Sequence, residues 1–232
     1  MSDSLGDRIK RYEMVTRHYG TKKVPMMIRV DGKAFHTLTR GCDKPFDQKL
    51  INSMVESAVV VAENMQGFKL GYVQSDEATF LLTDYDDVKT SAWFDYNLNK
   101  LNSITAAMMT AAFNKSYDTP IDAMALFDAR AFNVPKEDVV NAFLWRAKDW
   151  ERNSLQMFAR SVFSHKQLHK KNRADMHDML HQEGKNWATD LTPQQKNGTI
   201  LYNDGDGVKG EYSVKATYDE MSAFMNGFIG VE

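Results

Sequence analysis

Phe68-Lys69-Leu70-Gly71-Tyr72-Val73-Gln74-Ser75-Asp76-Glu77-Ala78-Thr79-Phe80-Leu81-Leu82 is the stretch on which the fold turns. Apolar, β-branched and aromatic residues flank a polar tip, so residues 68–73 and 79–82 read as two strands of a hairpin with acid at its turn. Upstream, Pro25 precedes Met26-Met27-Ile28-Arg29-Val30-Asp31-Gly32. Its near-continuous apolar start predicts a central strand, here ending on a second carboxylate. Between the two, Asp47 is placed to cap a helix running to about Met65, with Leu50, Met54, Ala58, Val61 and Met65 at helical spacing and Gly67 as its stop. Residues 93–113 return to helical periodicity, and 124–127 read as a fourth strand. The order β-α-β-β-α-β predicts an α+β, ferredoxin-like arrangement. By analogy with that fold, the first and third strands are antiparallel neighbours, which sets Asp31 beside Asp76.

Outside this unit the chain is mostly helical. Residues 7–19 read as an amphipathic N-terminal helix that buries Ile9, Tyr12, Met14 and Val15. After Pro135, residues 136–163 form one long helix or two. Residues 173–183 and 192–197 form shorter helices closed by Gly184 and Gly198. Asn203-Asp204-Gly205-Asp206-Gly207 is turn chemistry that joins a strand at 199–202 to another near 211–214, a small β-hairpin. The expected division is an α+β domain over 1–134, with the N-terminal helix, and a mostly helical region over 135–232 packed on it.

Composition narrows the function. The 232 residues carry a formal charge of −2, so any attraction to nucleic acid must come from local basic patches. Cys42 is the only cysteine, which rules out an internal disulfide and a cysteine-based zinc site and fits a reducing compartment. The N-terminus has no apolar core of a signal peptide, and the longest apolar stretch, 104–113, is too short to span a bilayer. A cytoplasmic protein with no membrane partner is expected. The Gly-x-x-x-x-Gly-Lys-Ser/Thr loop, the Gly-x-Ser-x-Gly elbow and the His-Glu-x-x-His helix are all absent from the sequence.

Asp31 and Asp76 carry the most chemical information. Mg²⁺ prefers hard oxygen ligands, commonly one or two carboxylates plus phosphate oxygens, and Gly32 beside Asp31 allows close backbone approach. Two turn aspartates bonded to their own loops account equally well for the spacing. Lys33, Lys44 and Lys100 could meet a triphosphate, and the amides of Ala34, Phe35 and His36 could form an anion nest. Spacing alone selects none of these lysines from solvated surface ones. His36 reads as a general acid–base or as a packing residue. Arg146, Asp149 and Asn153 share a helix face that reads as an ordinary salt-bridged surface. His165, Lys166, His169, Lys170, Lys171 and Arg173 form the densest basic stretch, suited to RNA phosphates or simply to water.

These motifs resemble one family. Ile28-Arg29-Val30-Asp31-Gly32-Lys33-Ala34-Phe35-His36, Lys44-Pro45-Phe46-Asp47 and Tyr72-Val73-Gln74-Ser75-Asp76-Glu77-Ala78-Thr79-Phe80 are similar to segments of tRNA-histidine guanylyltransferases. The likeness continues through Trp93-Phe94, Lys100, Phe127-Asp128-Ala129-Arg130, and Trp145-Arg146 to Asn153. It implies a palm-like domain and 3′→5′ nucleotide addition to tRNA, through 5′-adenylylation by ATP followed by attack of an incoming nucleotide. It further implies two Mg²⁺ ions on Asp31, Asp76 and the Gly32 carbonyl, with Asp31, Asp76 and Glu77 as the catalytic residues. ATP and GTP or other nucleoside triphosphates would lie near Lys33, Ala34, Phe35, His36, Lys44, Asp47, Ser75 and Lys100. Arg130, Arg152, Asn153, Lys166 and Lys170 are the implied RNA contacts, and a homotetramer the implied assembly.

The guanylyltransferases proper carry a histidine in the helical segment that here reads Glu151-Arg152-Asn153-Ser154-Leu155-Gln156-Met157, where Glu151 takes its place. That departure resembles the "like" branch of bacteria, archaea and viruses, which repairs 5′-truncated tRNAs. A nucleotide cyclase on the same scaffold and a non-catalytic tRNA-binding module are the competing readings.

Overall fold

Met26–Gly32 (β1), Phe68–Gln74 (β2), Glu77–Leu82 (β3), Phe127–Asn133 (β4), Thr199–Asn203 (β5) and Val208–Glu211 (β6) pair into one antiparallel sheet of order β4-β1-β3-β2-β5-β6. The computed structural model describes residues 3–211 and 217–230. Its helices are Leu5–Met14 (α1), Phe35–Leu38 (α2), Gln48–Glu63 (α3), Leu98–Tyr117 (α4), Lys136–Val162 (α5), His165–Leu168 (α6), Arg173–Gln182 (α7), Trp187–Asp190 (α8), Pro193–Asn197 (α9) and Tyr218–Ile229 (α10).

Both faces of the sheet are covered, which is why β1 begins as an unbroken apolar run. Met26, Ile28, Val30, Ala78, Phe80 and Leu82 pack against Met54, Ala58 and Val61 of α3 and Leu101, Met109 and Phe113 of α4. On the opposite face Met27, Leu70, Tyr72 and Leu81 meet Val139, Val140, Phe143 and Leu144 of α5 and Met221 and Met225 of α10. Strand residues alternate between faces, so Arg29 and Asp31 lie on the α5 side with Met27. The register then lays Asp128, Asp31, Glu77 and Gln74 in one row across four strands.

The long helix α5 links the two halves of the chain. Its 27 residues extend about 40 Å at 1.5 Å per residue. The first half lies on the sheet, while Leu155, Phe158 and Ala159 further along form a third core with Met176 and Leu180 of α7 and with Leu191. The middle of the helix therefore passes over the β2–β3 tip. Pro135 stands just before the first helical residue, as its N-cap.

Four expectations need correction. The N-terminal helix ends at Met14 and buries nothing: Ile9, Tyr12, Met14 and Val15 are 47%, 69%, 60% and 78% exposed. Its amphipathic pattern is real, but no element of the described chain covers its apolar side. The fourth strand is Phe127–Asn133, not 124–127. Met124 and Leu126 belong to the approach, whereas alternating Phe-Asp-Ala-Arg-Ala-Phe-Asn is the pattern of an edge strand with one open face. The helix expected over 93–113 is preceded by a separate turn, Trp93–Tyr96, whose Phe94 and Asp95 have left-handed backbone angles. The final strand lies at Val208–Glu211, and residues 212–214 of its expected span fall outside the described residues.

Candidate active site

A two-residue turn brings the carboxylates together. Gln74 and Glu77 pair at the end of β2–β3, leaving Ser75 and Asp76 as the loop, with Ser75 at φ 48° as tight hairpin turns require. The Ser75 hydroxyl donates to Asp76 Oδ1 at 2.9 Å. The end of β1 is stitched to this tip, because the Gly32 amide donates to the Asp76 carbonyl at 3.0 Å and Asp31 is in register with Glu77. Two carboxylates 45 positions apart in sequence thus share one corner of the sheet.

Asp76 is the electrostatically costly member. Burial raises its carboxyl above the ordinary range, the Ser75 hydroxyl partly opposes that, and the charges of Asp31 and Glu77 add to the rise. An anionic group held in this way favours a cation beside it. Glu77 is differently placed. Its Oε1 and Oε2 accept from Arg146 Nε and Nη2, both at 2.7 Å, and Arg146 also donates to Asp149 Oδ2 at 3.1 Å.

Two clefts meet at Asp76. One, of about 350 Å³, runs between Asp31, Gln74, Glu77 and the α5 face carrying Arg146, Asn153 and Arg160. The other, of about 520 Å³, is bounded by Ala34, His36, Lys44 and Asp47. Ser75, Asp76, Trp150, Met157 and Arg160 line both. Trp150 is 4% exposed and its Nε1 has no hydrogen-bond acceptor; the buried Gln74 Oε1 likewise lacks a donor. Orphaned buried polar atoms of this kind mark functional sites or missing partners.

The second cleft has an anion-binding wall. Ala34 adopts φ 54°, ψ 35°, immediately before the turn of α2. A left-handed residue entering a right-handed turn aims successive amides at one point. Lys33 is exposed and its amide donates to the Leu126 carbonyl at 2.8 Å. His36 is exposed at the cleft, and Phe35 is buried against Phe113 and Phe127. Lys44 Nζ reaches the Thr39 carbonyl at 3.3 Å. Asp47 caps α3, accepting from the Leu50 amide at 2.9 Å and from the Asp43 amide at 3.2 Å. The Leu50 bond is the main cause of its lowered pKa.

Lys100 is not brought to this corner. The start of α4 is tied to the segment preceding β1, by the Leu98 amide on the His18 carbonyl and a bridge between Tyr19 and Asn97. That is the end of β1 opposite Asp31. Lys100 there lies 5.7 Å from the Phe94 ring centroid, in a separate cavity with Arg17 and Tyr19. Among the expected RNA contacts, Arg130 pairs with Asp128 on β4, Arg152 pairs with Asp149, and Asn153 donates to Asp149 at 3.4 Å. Lys166 and Lys170 are exposed on and just beyond α6.

Sequence reasoning passed over Arg146, Trp150, Met157 and Arg160 as site residues. The signal was present, since 146, 149, 150, 153, 157 and 160 recur at three- and four-residue steps and so share a face. What the pattern lacked was the tertiary fact that this face crosses the hairpin tip.

Gly32 gives the corner a sharp steric test. A Cβ there would stand 2.9 Å from the Cβ of Asp76 and would overlap the buried Phe35 ring. Gly32→Ala is expected to displace Asp76 and to abolish Mg²⁺-dependent stabilisation in a thermal melt. Unchanged Mg²⁺ stabilisation would show that the corner tolerates the methyl group and is not the cation site.

Comparison with known proteins follows the same residues. A family model described as tRNAHis guanylyltransferase (Thg1) matches residues 6–135. The tRNA(His) guanylyltransferase of Schizosaccharomyces pombe is 32% identical over 162 residues, covering 67% of this chain and 59% of that enzyme. A bacterial tRNA(His) guanylyltransferase (Thg1)-like protein in complex with ATP superposes with a TM-score of 0.93 at 38% identity, over 98% of this chain and all of that one. A bacterial Thg1-like protein in complex with GTP gives a TM-score of 0.86 at 36% identity, over 99% of this chain and all of that one.

Proposed function

Because the chain belongs to the tRNAHis guanylyltransferase (Thg1) family of nucleotidyltransferases, we propose that it adds nucleotides in the 3′→5′ direction to the 5′ end of tRNA. The observation that carries this reading is the β1–β3 pairing that unites Asp31 and Asp76 where two clefts meet. The element order β1-α3-β2-β3-α4-β4 and the strand order β4-β1-β3-β2 support a ferredoxin-like, palm-type catalytic domain over residues 1–134. Residues 135–232 then complete the site through α5, and Arg152, Asn153, Lys166 and Lys170 contact RNA.

Asp31, Asp76 and the Gly32 carbonyl are all hard oxygen donors at one corner, a set that fits Mg²⁺. Two such ions would supply charge neutralisation and a more acidic attacking hydroxyl. The chain's own residues do the rest. The Ala34–His36 amides, Lys33 and Lys44 hold a triphosphate in the second cleft, and the Ser75 hydroxyl orients Asp76. A tRNA 5′-monophosphate oxygen attacks the α-phosphorus of ATP and releases pyrophosphate. The 3′-hydroxyl of the incoming nucleotide then attacks the activated 5′-phosphorus, losing its proton and displacing AMP. Holding the reactants in line contributes most of the acceleration in such transfers.

Glu151 at the histidine position, together with 38% identity to a bacterial Thg1-like protein, supports template-directed 5′-end repair over strict tRNA-histidine maturation. No described helix is long and apolar enough to cross a membrane, and the cytoplasm is the proposed site of action. The uncovered apolar side of α1, with Leu5 68% and Tyr12 69% exposed, supports a homotetramer that buries it.

The test combines purified protein, a tRNA lacking its first nucleotide, ATP, Mg²⁺ and labelled nucleoside triphosphates. Template-directed extension of the 5′ end is expected. No extension in any nucleotide mixture sinks the proposal, and cyclic products from nucleotides alone would establish a cyclase instead.

A further inference from the structure

Arg146 and Arg160 project from one face of α5, about four turns or about 21 Å apart along the helix. Their surroundings differ. Arg146 is buried and held by Glu77 and Asp149, and Asp149 also takes Arg152. Arg160 is exposed, and among the described residues no carboxylate lies within ion-pair distance of it. It nevertheless lines both clefts, with Ser75, Asp76, Trp150 and Met157, and it is the cationic side chain that the two clefts share. A basic residue in the last turn of α5 also complements the helix dipole. Any outward direction would serve that purpose, whereas this side chain borders the opening in which Asp76 stands.

We propose that Arg160 is a further catalytic residue, whose guanidinium binds the non-bridging oxygens of the phosphoryl group under attack. The proposal rests on the reading of the chain as a tRNA 5′-end transferase and deepens it by bringing a residue of the C-terminal half to the reacting atoms. In adenylylation the tRNA phosphate oxygen bonds to the α-phosphorus of ATP, and the bond to pyrophosphate breaks. In the transfer step the 3′-oxygen bonds to the 5′-phosphorus of the tRNA and its proton passes to water. The leaving group is then AMP, or pyrophosphate where the tRNA carries a 5′-triphosphate. Both steps place negative charge on the oxygens around one phosphorus, and a guanidinium presents two parallel donors to such oxygens. A donor common to both clefts can serve both steps.

The test measures single-turnover rates at saturating nucleotide in two reactions. One is adenylylation of a 5′-monophosphorylated tRNA by ATP, the other nucleotide addition to a 5′-triphosphorylated tRNA. Arg160→Gln is expected to slow both about 10²- to 10³-fold, with no change in melting temperature because the side chain is exposed. Arg160→Lys should recover only part of the rate, since an ammonium lacks the planar fork. Guanidinium ions at non-denaturing concentration should accelerate Arg160→Ala and leave the unaltered protein as it was.

A raised KM for nucleotide with an unchanged saturated rate would overturn the assignment, since Arg160 would then be a binding contact alone. A loss confined to adenylylation would also overturn it, placing the residue on the pyrophosphate of ATP. Slowing that comes with a lower melting temperature and no response to guanidinium ions would make Arg160 a structural part of α5, which likewise overturns it. If the unaltered protein yields neither product, the transferase reading falls and the catalytic role with it. If the unaltered protein extends tRNA and the Arg160 variants match its rates, the role of Arg160 falls alone.

Discussion

Asp76→Asn is expected to abolish 5′ addition and at the same time to stabilise the metal-free protein. The two effects have one cause. Burial, helped by the charges of Asp31 and Glu77, raises the Asp76 carboxyl above its ordinary range. A carboxyl whose folded pKa exceeds its unfolded value binds more protons in the native state. Stability therefore falls as pH rises through the interval between the two values, and at neutral pH the ionised side chain is a net cost. Asparagine has nearly the same shape and no charge, so it removes that cost. Since about 1 kcal/mol shifts the midpoint of a domain of this size by roughly 2–4 °C, a rise of a few degrees at pH 7 is expected. The gain should shrink as pH falls from the folded pKa and vanish below the unfolded value, where the aspartate is neutral in both states.

The rate should move the other way. Removing one preorganised charged group from such a centre costs about 10²- to 10³-fold at least, and here the group is also a proposed cation ligand. Mg²⁺ should raise the melting temperature of the unaltered protein, because a ligand that binds only the folded state stabilises it by mass action. It should leave Asp76→Asn unmoved. A variant that melts higher yet still extends tRNA at the native rate would refute the metal assignment while leaving the account of burial intact. One that melts lower would refute the electrostatic account.

The local rules of the chain were enough for much of this. Met26 to Asp31 announced a central strand because every second residue on both sides had to be apolar, and the Ser75-Asp76 turn was bounded by unmistakable strands. The adjacency of Asp31 and Asp76 followed from element order read by analogy with the ferredoxin-like fold, and the β1–β3 register bears it out. Sequence reading failed wherever a residue's meaning depended on something distant. The amphipathic α1 pattern demanded a covering partner, and the described chain supplies none. Strand β4 hid because only one of its faces is buried, so Asp128 and Arg130 broke the apolar run. Lys100 matched a motif, but α4 starts at the far end of the sheet from the carboxylates. The α5 face was legible as a face and illegible as a wall, since nothing local states which surface a helix will cross.

That wall supplies the second large effect. Arg146 is 9% exposed, and its fork meets both carboxylate oxygens of Glu77 at 2.7 Å. Asp149 steadies the same guanidinium at 3.1 Å, and Arg152 and Asn153 in turn hold Asp149. Glu77 immediately follows Asp76 and is in register with Asp31, so the pair clamps the carboxylate corner to α5. We propose that Arg146 and Glu77 act as positioning residues. Arg146→Met leaves the Glu77 carboxylate buried without its counter-charge, which typically costs about 3–5 kcal/mol. The loss should appear as a lower denaturant midpoint together with a fall in the rate of addition. Lysine at 146 cannot present two parallel donors and should recover only part of either.

The double variant Arg146→Met with Glu77→Gln separates fold from function. With neither charge present the desolvation penalty is gone, and most of the stability should return. Activity should not return, because the clamp that fixes Asp76 against the α5 wall is still missing. If kcat recovers along with the denaturant midpoint, the ion pair is scaffolding and the carboxylate corner holds its geometry without it. If the midpoint recovers while kcat stays low and KM for nucleotide is unchanged, Arg146 and Glu77 set the transition-state geometry that β1 and β3 alone leave unfixed.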